Sequence, residues 1–293
     1  MTATIIDGKA IAQEIRAEVR QSVVKLRAIG VEPGLAVVLV GDDPGSISYV
    51  RGKTEGASEL GMRSETIRLD ASTSQDALLG LIAELNADAR WHGVLVQMPL
   101  PPQISESVVA SATAVEKDVD GLHPVNVGRL FRGEPGLRSC TPHGVQQLLV
   151  RSGNDPAGKH VVICGRSNLV GKPLVGLLMQ KAPGANATVT VCHTGTPDIS
   201  AHTRAADIVI AVIGQPNAIT ADMIREGAVV IDVGVNRVPD ATKKSGTRLV
   251  GDVDFAAVSE KAGWITRVPG GVGPMTVTML LYNTVLAASG TLR

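Results

Sequence analysis

Aromatic residues are scarce in this chain. Two Trp, two Tyr and two Phe occur among 293 residues, so a core has to be built from Val, Ile, Leu and Ala. That composition suits layered α/β packing, in which buried parallel strands are β-branched runs. An excess of either charge is also missing. Lys plus Arg and Asp plus Glu both number 28, for a formal net charge of +0. Such a balance carries no electrostatic footprint of a nucleic-acid or anionic-membrane partner. Long apolar runs are lacking too: Leu35 to Val40 and Ile208 to Ile213 fall far short of the ~18 residues that span a bilayer. The opening Met-Thr-Ala-Thr-Ile-Ile-Asp has no basic region followed by an apolar one, and no secretory signal is expected. Cys140, Cys164 and Cys192 form no metal-type pair and leave an odd count. Free thiols in a reducing cytoplasm and no metal site are the expectation. No internal repeat or low-complexity segment stands out.

What is present is an alternation of strand and helix signals, in two series. In the first, Asp7 can cap a helix whose apolar positions Ile11, Ile15, Val19 and Val23 recur every four residues. A buried strand over 35–40 ends at Gly41, and a helix follows over about 46–60. A weaker strand over 66–69 precedes a helix over 74–86, with Leu78, Ile82 and Leu85 on one face. The next strand, 93–98, is stopped by Pro99, Pro101 and Pro102, which cannot donate ladder hydrogen bonds. Residues 117–142 are rich in Gly, Pro and Asp, and the crossing between domains is expected inside or just after them. The second series predicts strands over 160–164, 188–192, 207–213, 228–233 and 264–268, with helices over 171–182 and near 198–204. Such alternation predicts parallel sheets with right-handed crossovers. Length alone predicts two domains at roughly 150 residues each. The last apolar segment, 274–288, has helical spacing and no strand after it, so it can return to the first domain. The expected fold is therefore α/β with two domains. Residues 1–139 plus 275–293 form an N-terminal α/β three-layer domain, and residues 140–274 form a Rossmann-like dinucleotide-binding domain.

The most telling stretch is Val161-Val-Ile-Cys-Gly-Arg-Ser-Asn-Leu-Val-Gly-Lys-Pro173. It reads as strand, glycine turn and helix start, the arrangement that offers backbone N–H groups to a phosphate. Its spacing departs from the usual G-x-G-x-x-G, so the pattern alone is a weak signal. In an NAD site a carboxylate at the end of the second strand binds the ribose 2′-hydroxyl. Here that strand runs into His193-Thr194-Gly195, with no carboxylate, while Arg166 follows the first glycine. Arg166 could be a solvated loop residue. The strand–Gly–helix context and the missing acid favour a 2′-phosphate contact, and hence NADP. Gly214-Gln-Pro216 and Val233-Gly234-Val235 also follow predicted strands. They line the same crevice or are ordinary strand-terminal turns. The candidate cofactor residues are Gly165, Arg166, Ser167, Val170, Gly171, Pro173, His193, Thr194, Ile213, Gly214 and Gly234.

In the first series, Tyr49 and Lys53 are four apart on a predicted helix and share a face. That spacing is usually a surface feature. Gln97, however, ends an apolar strand, where an amide needs a partner. Asp118 and Asp120 lie in the loop 117–121, where either could simply form a turn.

Together these residues carry a resemblance. The chain resembles the bifunctional methylenetetrahydrofolate dehydrogenase/methenyltetrahydrofolate cyclohydrolase family. The matching segments are Tyr49-Val-Arg-Gly-Lys53, Val96-Gln-Met-Pro-Leu-Pro101, Lys117-Asp-Val-Asp-Gly-Leu-His123, Cys140-Thr-Pro-His-Gly144, Gly165-Arg-Ser-Asn-Leu-Val-Gly-Lys-Pro173 and Pro269-Gly-Gly-Val-Gly-Pro-Met-Thr276. They occur in the family's order and cover nearly the whole chain.

The resemblance implies NADP-linked oxidation of 5,10-methylenetetrahydrofolate, then hydrolysis of the methenyl product, both in one-carbon metabolism. It also implies a cytoplasmic homodimer. Lys53 matches the catalytic lysine, Tyr49 the tyrosine near the folate ring, Gln97 the glutamine that positions the lysine, and Asp120 the aspartate that holds the pterin. Pro269, Gly270 and Gly271 match a loop bordering the folate. Arg166 and Thr194 match the 2′-phosphate contacts. The chain departs from the family at His143, where many relatives carry Lys or Arg. A packing or capping role for His143 is as consistent with the sequence as a charge role. Two other readings stay open: an NADP dehydrogenase of another small substrate, and a catalytically silent dinucleotide-binding protein.

Overall fold

The computed structural model describes residues 2–243 and 246–291. In chain order the elements are β1 (Thr4–Ile6), α1 (Gly8–Ala28), β2 (Gly34–Val40), α2 (Pro44–Glu59), β3 (Arg63–Leu69), α3 (Gln75–Ala87), β4 (Gly93–Val96), α4 (Glu106–Ala112), α5 (Pro124–Arg132) and α6 (Cys140–Arg151). They continue with β5 (His160–Cys164), α7 (Gly171–Leu178), β6 (Thr188–Cys192), α8 (Ile199–Ala205), β7 (Ile208–Ala211), β8 (Val229–Asp232), β9 (Asn236–Pro239), β10 (Thr247–Val250), α9 (Phe255–Ser259), β11 (Trp264–Thr266) and α10 (Val272–Ala288). The chain forms two compact units. One comprises Met1–Ala12 with Thr141–Thr276, and the other Gln13–Cys140 with Val277–Arg293. All three boundaries fall within helices, in α1, α6 and α10.

The first unit is built on a six-stranded sheet, ordered β1-β11-β8-β7-β5-β6. Every pairing in it is parallel. β5, β7, β8 and β11 are the inner strands, and the Val and Ile runs of the first three are buried almost throughout. Val162, Val209, Val230 and Ile265 from the sheet pack with Ile219, Ile224 and Val258 in one core. Residues 1–12, expected in the first domain, belong here instead. β1 pairs with β11, Thr4 beside Trp264, and Ala3 enters the same core. A three-residue strand whose partner lies near the other end of the chain leaves no local periodicity to read. α7 stops at Leu178, short of the expected 182; a turn follows through Pro183 and Gly184, the latter at φ 71°. β9 and β10 form an antiparallel pair absent from the sequence reading.

The second unit holds a three-stranded parallel sheet, β3-β2-β4. Ala36, Val38, Val40, Val94 and Val96 pack with Leu78, Ile82 and Leu85 of α3 and Val109 of α4. Leu35, Val37 and Leu39 alternate with them along β2 and are equally buried. Both faces of the strand are thus covered, as a parallel sheet requires. The second half of α10 returns here: Arg16 Nε donates to Thr278 Oγ1 at 3.1 Å, and Asn283 Nδ2 donates to the carbonyls of Val119 and Arg138, each at 2.8 Å. Within the expected loop 117–142 lies α5, opened by His123, whose Nδ1 accepts from Val125 N at 3.1 Å, and closed by Gly133 at φ 70°.

Candidate active site

β2 ends at Val40 and turns on Gly41, at φ 82°. Asp43 then caps α2, accepting from Ser46 N at 2.7 Å, with Pro44 in the first turn. α2 therefore starts at the carboxyl end of β2 and carries Tyr49 and Lys53 one turn apart. Tyr49 is 44% exposed, whereas Lys53 is only 6% exposed. Lys53 Nζ donates to Gln97 Oε1 at 2.8 Å. Gln97 follows β4, and its own N–H bonds Val38 O at 2.9 Å. Its Nε2 donates to Met98 O at 2.6 Å. With the donor end of the amide committed, the acceptor end is directed at the lysine. The partner of this buried lysine is thus a neutral amide.

Asp118 shapes the loop that carries Asp120. Its carboxylate accepts from Leu122 N at 3.1 Å, His123 N at 2.8 Å and Asn126 Nδ2 at 2.9 Å. Burial pushes its pKa up to about 6 despite those three donors. Gly121 is required in the turn. It sits at φ 69°, and a Cβ there would lie 2.3 Å from the Arg138 carbonyl carbon. Asp120 is half-buried, and Cys140 ties it to the lysine. The Cys140 thiol donates to Val119 O at 3.2 Å. Burial raises its pKa first; Asp120 raises it further, and Lys53 opposes. Lys53, Gln97, Asp120 and Cys140 are thus brought together. Cys140 was missed as a site residue, and its sole signal was its place at the head of the segment 140–144. His143 is buried, as the fourth residue of α6.

In the other unit the strand–turn–helix stands as expected. Gly165 follows β5 at φ 136°, and a Cβ there would meet Val212 O at 2.1 Å. A Cβ at Gly171 would lie 2.4 Å from Gly165 O. Both positions accept glycine alone, because the fixed obstacle is backbone. Ser167 Oγ accepts from Val170 N at 3.2 Å and Gly171 N at 3.3 Å, tying the turn to the start of α7, where Pro173 is buried. Arg166 is exposed on this turn. After β6, His193 N donates to Thr196 Oγ1 at 3.0 Å and His193 Nδ1 accepts from Gly195 N at 3.0 Å. Thr194, the next residue, is exposed. The turn after β7 gives both its N–H groups, Ile213 and Gly214, to Asp252 Oδ2 at 2.6 and 2.9 Å. Gly234, after β8, donates to Asp232 Oδ1 at 2.9 Å. Pro269, Gly270 and Gly271 also belong to this unit and not to that of Lys53. Gly270 has φ 108°, and a Cβ on Gly8 would meet Gly271 O at 1.9 Å.

These residues fit a dinucleotide carrying a 2′-phosphate: a glycine turn that a Cβ would fill, a helix start, an exposed arginine and no carboxylate ending β6. Among the described residues, no group of His, Cys, Asp or Glu is placed to hold a metal ion, and no helix is long and apolar enough to cross a membrane. Fold and site together define a two-unit α/β enzyme of the nicotinamide-nucleotide class, with a lysine–amide pair outside its nucleotide unit. Residues 6–120 match the tetrahydrofolate dehydrogenase/cyclohydrolase catalytic domain, and residues 139–292 match the NAD(P)-binding domain of the same enzymes. The chain belongs to the tetrahydrofolate dehydrogenase/cyclohydrolase family. It is 56% identical over 288 residues to the bifunctional protein FolD of Syntrophus aciditrophicus, covering 98% of both chains. The FolD methylenetetrahydrofolate dehydrogenase/cyclohydrolase of Campylobacter jejuni is 45% identical with a TM-score of 0.93, over 99% of this chain and 100% of that one. The Trypanosoma brucei enzyme, solved with NADP cofactor and an inhibitor, is 41% identical with a TM-score of 0.93, over 100% of this chain and 99% of the other.

Proposed function

We propose that this protein oxidises 5,10-methylenetetrahydrofolate to the methenyl form with NADP and then hydrolyses the methenyl form to 10-formyltetrahydrofolate. The hydrogen bond from the buried Lys53 to the half-buried Gln97, 2.8 Å long, carries the reading. Hydride transfer asks mainly for orientation, and NADP, when bound, supplies the hydride acceptor. Hydrolysis asks for more, because a water must lose a proton as it attacks the methenyl carbon. Lys53 as the neutral amine takes that proton. Gln97 orients the amine without adding charge, whereas a carboxylate in its place would hold the ammonium. Asp120 accepts two N–H groups of the 2-aminopterin as a bidentate pair. Tyr49 offers its ring to the folate, and Pro269, Gly270 and Gly271 border it.

For the cofactor, Arg166 neutralises the 2′-phosphate with help from His193 and Thr194. Gly165, Ser167, Val170, Gly171 and Pro173 shape the turn that receives phosphate. Ile213, Gly214 and Gly234 line the rest of the cofactor site. The half-buried outer strand β6 supports a homodimer paired along that face, and three free thiols support a reducing cytoplasm.

Lys53→Ala tests the central assignment. Hydrolysis of the methenyl substrate, followed by its absorbance, falls by more than about a hundredfold, while NADP affinity measured by titration is unchanged. Hydrolysis at the wild-type rate would remove Lys53 from its role.

A further inference from the structure

Two buried carboxylates sit behind the turns that follow β7 and β8, and the chemistry above uses neither. Asp252 is fully buried and Asp232 nearly so. Asp252 Oδ2 accepts from Ile213 N and Gly214 N, at 2.6 and 2.9 Å, and its Oδ1 accepts from Asn236 Nδ2 at 2.8 Å. Asp232 in turn takes three backbone donors: Gly234 N and Asp252 N on Oδ1, both at 2.9 Å, and Val253 N on Oδ2 at 3.0 Å. Space is kept for them by glycine. A Cβ on Gly234 would lie 2.2 Å from Asp252 Oδ1, and one on Gly251 would lie 1.7 Å from Asp232 Oδ2. A buried carboxylate held by three N–H donors fixes its surroundings strongly, because any movement strands charge or donors away from water.

We propose that Asp252, braced by Asp232, is a positioning residue for the cofactor. It locks the 213–214 turn so that this part of the site accepts the ribose and amide portion of the dinucleotide and rejects phosphate. With both N–H groups of the turn consumed, no backbone donor at 213 or 214 is left for an anion. Two carboxylates behind the turn repel one as well. Phosphate is thereby confined to the Gly165–Gly171 turn, where backbone N–H groups and Arg166 await it. The inference rests on the assignment of Ile213, Gly214 and Gly234 to the cofactor site.

The test is Asp252→Ala with Asp252→Asn beside it. Two hydrogen bonds to backbone are lost in the alanine variant, so KM for NADP rises at least about tenfold with little change in kcat. Cyclohydrolase turnover, which uses no cofactor, serves as the fold control and holds. Asp252→Asn keeps one oxygen for both backbone N–H groups, and Asn236 can turn its own carbonyl to the new amide. KM in that variant stays within about threefold of wild type. An unchanged KM in Asp252→Ala, an equal loss in both variants, or parallel loss of both activities overturns the proposal. Where Asp252→Ala does not fold, Asn236→Ala replaces it: a severalfold rise in KM for NADP supports the proposal and none refutes it. Hydrogen exchange of the wild-type protein with and without NADP separates the two layers. No NADP-dependent protection over 212–216 means the cofactor assignment itself has failed. Protection there with an unchanged KM in Asp252→Ala means the positioning role alone has failed.

Discussion

At the scale of single residues the site depends on which groups carry no charge. Gln97 is anchored at its donor end by Met98 O and aims its carbonyl at Lys53. Gln97→Glu changes almost no volume yet sets a carboxylate 2.8 Å from the amine position. The pair then holds its proton, and Lys53 cannot accept one from water. Cyclohydrolase turnover at neutral pH is expected to fall by about a hundredfold or more, with a smaller effect on hydride transfer. An unchanged hydrolysis rate in a stopped-flow assay would show that the neutrality of Gln97 is irrelevant. Arg166 makes the opposite case, since its charge is what the site needs. Exposed beside Gly165, it has no acidic rival at the end of β6. Arg166→Ala is expected to raise KM for NADP by tenfold or more, on the order of one charge-assisted hydrogen bond, and to leave KM for NAD alone. Equal loss with both cofactors would assign Arg166 to the fold of the turn rather than to the 2′-phosphate.

The elements set which changes the scaffold tolerates. Gly52 lies inside α2, one residue before Lys53, and a Cβ there meets nothing within 4 Å. Gly52→Ala should therefore add helix stability of about 1 kcal/mol and raise the melting temperature by a few degrees. If the folate approaches this position, its KM rises at the same time; a stabilised variant with unchanged folate KM shows that the space stays empty. Gly171 at the head of α7 is the contrary case, because backbone at 2.4 Å blocks any side chain.

Legibility in the sequence follows the same division. β2, β4, β5 and β7 announce themselves as continuous apolar runs between turns, and α3 by its Leu78, Ile82, Leu85 spacing. Gln97 was legible because an amide closing an apolar strand is odd for its element, whereas Lys53 was marked only by its spacing from Tyr49 and by the family resemblance, its burial showing only in the fold. β1, β9 and β10 were not, since three or four residues give too little periodicity and their partners are set by tertiary pairing. Asp232 and Asp252 draw no notice in the sequence. Their meaning lies in backbone donors distant in the chain, at Ile213 and Val253.

Across the whole molecule the buried aspartates impose a pH dependence that their counterparts nearer the surface do not. Asp118 in one unit and Asp232 in the other are each pushed up to about 6, in both cases chiefly by burial. Acids nearer the surface move the other way: Arg90 draws Asp88 down to about 2, and Ser72 and Thr242 lower Asp70 and Asp240. The two sets act in different windows. A lowered carboxylate gives up stability only as pH falls below about 4. A raised one does the reverse: its contribution is fully present below about pH 4, where both folded and unfolded chains hold the proton, and is lost as pH rises through about 6. Each buried aspartate thus costs up to about 3 kcal/mol on going from pH 4 to pH 7, some two pKa units at 1.36 kcal/mol each. Asp118→Asn removes one titration and Asp232→Asn the other. Urea unfolding of wild type and variants across pH 4 to 7 isolates the effect, because a fixed offset from the lost carboxylate cancels in the slope. The wild-type free energy should fall relative to each variant, with the steepest change near pH 5, roughly midway between the unfolded and the raised pKa. Should the two units unfold in separate transitions, Asp118→Asn changes the one that contains α2, and Asp232→Asn the one that contains β5. Parallel curves for wild type and variants would mean that the carboxylates ionise as readily folded as unfolded, and that their N–H donors fully offset the burial.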